Sequence, residues 1–86
     1  MTAKEYLVGQ LSDPYVEATS VQTQTALAAY AIRMYMGVDG YSIPNVEELL
    51  ENCGITDVMF IERCTDFISH CFTFLMYQHR IPTLDD

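Results

Sequence analysis

Cys53, Cys64 and Cys71, together with His70 and His79, are the side chains best able to do chemistry in this chain. Thiolate and imidazole groups bind zinc, and a thiol beside an imidazole can act as a nucleophile. Their spacing suits neither task. There is no Cys-x-x-Cys pair, no second pair of ligands follows, and the neighbours His70 and Cys71 point about 100° apart on a helix. Nothing in the sequence supplies an oxyanion hole or a group to orient an imidazole, so the thiols read as small core groups. Gly37-Val38-Asp39-Gly40 lacks the lysine and hydroxyl residue of a phosphate loop and the alternating carboxylates of a calcium loop, and it reads as a turn. A non-enzyme without metal or cofactor is the expectation.

A second kind of chemistry is electrostatic. Glu47, Glu48, Glu51, Asp57, Glu62 and Asp66 would form an acidic surface able to imitate nucleic acid and occupy the basic groove of a partner. Twelve acidic residues against four basic ones give a net charge of -8, which argues against direct binding to phosphate backbones or anionic membranes.

These residues must be positioned by helices. Tyr6, Leu7 and Leu11 have helical spacing over 3–11, with Gly9 weakening that segment. Asp13-Pro14 is a helix-start signal, and the uncharged run Thr19–Thr25 delays or restarts the second helix at Ser20. From Gln24, Leu27, Ala31 and Met34 form one ridge and Ala28, Ile32 and Tyr35 the next, with Arg33 outward; Gly37 ends the helix. The Ala26, Ala28, Ala29 and Ala31 cluster admits a closely packed helix, either within the fold or from another subunit. Asn45 and Glu48 have capping-box spacing, so a third helix is predicted from Val46 to Gly54, with Val46, Leu49 and Leu50 inward.

Thr56 and Asp57 open the last and longest helix, which is predicted to reach Arg80, before Pro82. Phe60, Phe67 and Phe74 recur every seven residues, with Ile61, Ile68 and Leu75 beside them and Cys64 and Cys71 between. Phe72 and Met76 widen the stripe, leaving Glu62, Asp66, Ser69, Thr73 and Tyr77 as a narrow polar face. The expected fold is therefore all-α: one domain over residues 1–86, a small four-helix, bundle-like arrangement with a long apolar C-terminal helix at its centre.

With 50% apolar and 19% charged residues the chain folds, and disorder is excluded. Residues 67–77 are broken by Ser69, His70 and Thr73 and fall short of the roughly 20 residues of a membrane span. The first residues, carrying Lys4 and Glu5, hold no apolar run of secretory type. Cys64 and Cys71 would lie about 10 Å apart along one helix, beyond disulfide reach. Three unpaired thiols fit a reducing, cytoplasmic location.

So small a domain buries only about 60% of its unfolded surface, which leaves the last helix with more apolar area than three short companions can cover. Aromatic and methionine side chains are those favoured at interfaces. Phe72, Phe74, Met76 and Tyr77 at the end of that helix, with Tyr41 and Ile43 in the loop before the third helix, are the expected contacts to a protein partner or to further copies of the chain.

Tyr6-Leu7, Asp13 and the alanine-rich 26–37 segment closed by Tyr35-Met36-Gly37 resemble the opening of the helical head-to-tail adaptor (connector) proteins of tailed phages. Tyr77-Gln78-His79-Arg80 resembles the end of their final helix. The uncharged Thr19–Thr25 stands where that family is acidic. The resemblance implies a ring-forming, non-catalytic subunit between portal and tail parts, in host cytoplasm or virion. The alternative is an acidic, phage-type inhibitor that blocks a basic site on a host defence or nucleic-acid enzyme.

Overall fold

Hydroxyl side chains start three helices of this protein. The computed structural model describes residues 1–12 and 16–78, and among them are four helices and no strand: α1 (Ala3–Leu11), α2 (Val21–Tyr35), α3 (Ile43–Asn52) and α4 (Val58–Gln78). Thr2 Oγ1 accepts from the Glu5 amide at 3.1 Å, Ser20 Oγ from Thr23 at 3.2 Å, and Ser42 Oγ from Asn45 at 3.3 Å. Each satisfies an amide that the first turn leaves without a carbonyl. Asp57 does the same for α4, its Oδ1 accepting from Met59 at 3.0 Å and Phe60 at 3.4 Å. The architecture is all-α and bundle-like. The helix start expected at Asp13-Pro14 and the helix end expected at Arg80 lie outside the described residues.

α1 buries Ala3, Leu7 and Leu11, one residue per turn, against α2. Gly9 is exposed on the opposite side and does not interrupt the helix; a methyl group placed there meets nothing within 4 Å. Gly9→Ala is therefore expected to raise stability by about 1 kcal/mol. In thermal unfolding that is a rise of roughly 4–8 °C, and an unchanged or lower midpoint would contradict this account of α1.

α2 supplies more of the core than any other helix: Thr23, Ala26, Leu27, Tyr30 and Ala31 are all fully buried. It packs against both α1 and α4, so α2 shares the central place expected for α4 alone. Ala26 and Ala31 face inward and let the neighbouring helices close on α2, whereas Ala28 and Ala29 remain half-buried. The buried Thr23 hydroxyl accepts from Ser20 Oγ at 2.8 Å, so this polar group enters the core with its partner.

The ends of α2 and α3 share one chemistry. Gly37 has φ +74°, and its amide and that of Val38 donate back to Met34 and Arg33 O. Gly54 has φ +82°, with Gly54 and Ile55 donating to Glu51 and Leu50 O. Both are glycine-terminated caps that use otherwise orphaned carbonyls, and the second seats Ile55 against the core.

α3 begins three residues before the predicted Val46. The reason lies outside its own sequence. Tyr30, fully buried, donates its phenol hydroxyl to Ser42 O at 2.8 Å and accepts from the Ser42 amide at 3.1 Å. This clamp holds Ser42 extended at φ -150°, ψ 167°, which makes it the N-cap and places Pro44 in the first turn, where its missing N–H costs nothing. The Tyr41 ring lies 4.9 Å from that of Tyr30, and the Lys4 ammonium sits 5.0 Å above Tyr41, tying α1 to the same junction. Val46 and Leu50 are fully buried and Leu49 half-buried, while Glu47, Glu48 and Glu51 face water.

Candidate functional site

α4 contributes Cys64, Ile68 and Leu75 to the interior, a narrow line of small and aliphatic groups. Its rings stay outside that line. Phe60 and Phe67 are half-buried at the edge of the core, Phe72 is half-buried and meets Tyr35 edge-on at 5.9 Å, and Phe74 is 56% exposed. None of the four phenylalanines of the chain is fully buried. Met76 (51%) and Tyr77 (83%) extend the exposed apolar end, and Met59 (62%) and Val58 (65%) expose the start. Isolated exposed apolar residues are ordinary on a folded protein; three large ones within four residues at one helix end are not.

Beside this end, α2 and α4 border an open groove of about 270 Å³. Ala28 and Ile32 form one wall, and Phe67, His70, Cys71, Phe74 and Leu75 the other. The small Ala28 side chain leaves the space, and the α4 residues line it because they recur at three- and four-residue intervals.

His70 and Cys71, expected to point apart, both border this groove. Burial nevertheless pushes the Cys71 thiol up from its ordinary value, the opposite of what a nucleophile needs at neutral pH. Burial also raises Cys64, to about 11. Among the described residues no three His, Cys, Asp or Glu side chains come together as a metal site; His79 lies outside the described residues.

The buried thiol has a measurable consequence. Because the folded form holds its proton more tightly than the unfolded chain, Cys64 contributes stability that is complete below pH 9 and disappears as pH rises towards about 11. Tyr30 and Cys71, also raised by burial, act with the same sign. Urea unfolding across this interval is expected to show a loss of roughly 2 kcal/mol for Cys64, diminished in Cys64→Ala. A variant as alkali-sensitive as the parent would contradict this.

No known protein family, characterised protein or solved structure matches this chain. Its surface is therefore read on its own terms. Of the six expected contact residues, Phe74, Met76 and Tyr77 gather at the exposed end of α4. Phe72, Tyr41 and Ile43 are half-buried; Tyr41 packs between Tyr30 and Lys4, and Ile43, expected in the loop, is instead the first residue of α3 and packs on the core. Of the acidic set, all six side chains are exposed, but Asp57 is engaged in capping α4. Of the α2 wall of the groove, Ala28 belongs to the alanine cluster expected to admit a helix from within the fold or from another subunit, whereas Ile32 is not among the expected contacts. Ala28 and Ile32 belong to a ridge that the sequence marks as apolar, and only the placement of α4 beside it turns it into one wall of a groove.

Proposed function

We propose that this protein is a non-enzymatic assembly subunit that binds protein, its own copies included, through the aromatic end of α4 and the groove beside it. The observation that carries the reading is the position of the rings. The core is completed by leucine, isoleucine, valine, alanine, tyrosine, threonine and cysteine, while Phe74, Met76 and Tyr77 stay in water. Such groups supply large contact areas at interfaces and are costly to leave exposed. The resemblance to phage head-to-tail adaptors supports a ring-forming, adaptor-like role in host cytoplasm or virion. Among the described residues no helix is long and apolar enough to cross a membrane.

A second reading is the acidic inhibitor that occupies a basic site on a defence or nucleic-acid enzyme, favoured by the exposure of Glu47, Glu48, Glu51, Glu62 and Asp66. Salt separates the two. Exposed charges are screened beyond about 8 Å at physiological ionic strength, whereas apolar contacts persist. Sedimentation at low and high salt is expected to show association that survives high salt. A strict monomer that binds only basic partners, and only at low salt, would overturn the assembly reading in favour of the inhibitor.

A further inference from the structure

We propose that α3 is a hinged strap: residues Ile43–Asn52 release as a unit about Gly40 and Gly54 while α1, α2 and α4 stay packed, and the Tyr30 phenol is the latch that holds the strap shut. The device is independent of what the end of α4 binds. Val46 and Leu50 are the buried residues of α3, against five in α2, and α4 is the helix that α3 packs against. Six of its ten residues are exposed: Pro44, Asn45, Glu47, Glu48, Glu51 and Asn52. Isolated helices shorter than roughly 12–15 residues are marginal in water, so α3 is helical because it is docked. Its own charges work against it: Glu47 and Glu51 repel at a four-residue spacing, and α3 carries no base. Segments with so few buried apolar groups open locally at well below the cost of global unfolding.

Both ends of the strap turn at glycine. Gly40, at φ +84°, lies two residues before the N-cap Ser42, and Gly54, at φ +82°, follows the C-cap Cys53. Glycine moves between positive and negative φ at little steric cost, so the backbone can rotate at these two points while the chain on either side keeps its structure. The latch comes from outside α3. Tyr30 of α2 binds both backbone groups of Ser42, at 2.8 and 3.1 Å, and the Tyr41 ring lies 4.9 Å from it with Lys4 of α1 5.0 Å above. Breaking that one junction frees the start of α3 and leaves two aliphatic anchors to hold the rest. Release uncovers the part of the core that Val46 and Leu50 share with Cys64 and Ile68, an apolar surface separate from Phe74, Met76 and Tyr77.

Native-state hydrogen exchange of the full chain, read amide by amide by NMR, tests the strap. Amides 46–53 are expected to exchange together, roughly tenfold or more faster than amides 27–31 of α2. Gly9→Ala stabilises α1, which stays packed when the strap opens; it is expected to slow amides 27–31 about fivefold and to leave 46–53 unchanged. Tyr30→Phe keeps the ring, removes both hydrogen bonds and is expected to speed 46–53 by roughly fivefold or more. Equal rates in α2 and α3, slowed alike by Gly9→Ala, would show one cooperative unit and overturn the strap. Fast exchange of 46–53 that Tyr30→Phe leaves unaltered would overturn the latch.

Discussion

Tyr30→Ala is expected to leave the chain largely unfolded at room temperature. Removing a fully buried aromatic side chain costs about 3–5 kcal/mol through lost burial and the cavity left behind. Here the same change also strips the Ser42 amide and carbonyl of their phenol partner and removes the ring under Tyr41. Against a total of about 5–15 kcal/mol for an ordinary domain, that is most of the margin. Tyr30→Phe isolates the polar part: the ring stays and two hydrogen bonds go, for a cost of about 1–3 kcal/mol. Urea unfolding of the two variants measures both, and a Phe variant as stable as the parent would show that the clamp on Ser42 does not hold α3 in place.

The second large effect falls on association rather than folding. Phe74→Glu combined with Tyr77→Glu changes two exposed side chains at the end of α4, so the unfolding free energy is expected to move by no more than about 1 kcal/mol. Binding through that face should nonetheless collapse, because buried aromatic anchors at interfaces are each worth about 2 kcal/mol or more. Two of them correspond to a loss of roughly a thousandfold in affinity. Sedimentation equilibrium reads this directly. A double variant that associates as tightly as the parent would place the interface elsewhere.

What could be read from the residues follows how local each determinant is. The four helices, the Ser20 start of α2, the Gly37 and Gly54 stops and the Asp57 start of α4 all depend on side chains within a turn of the feature they set, and such features are legible in sequence. The start of α3 was not, because Ser42 becomes a cap through a hydroxyl twelve positions upstream. The spacing of Asn45 and Glu48 suggests a capping box, but a tertiary contact sets Ser42 as the cap instead. The same distinction divides the contact residues. Tyr41 and Ile43 carry the composition of an interface, yet the Tyr30 ring and the core lie beneath them. Periodicity marked Phe60, Phe67 and Phe74 as one stripe, and only the packing of α2 and α3 decides how much of that stripe is covered. Towards Phe74 the cover runs out, leaving a groove with walls from two helices that no single segment of sequence describes.

The central claim is that the exposed aromatic end of α4 is covered when the protein assembles. Hydroxyl-radical footprinting of the intact chain, dilute and concentrated, measures the accessibility of Phe74, Met76 and Tyr77 against Met1, which lies exposed on the distant side of the sequence. The account predicts that oxidation of those three falls several-fold on concentration while Met1 is unchanged. Equal oxidation at both concentrations, in a sample shown by sedimentation to have associated, would contradict it.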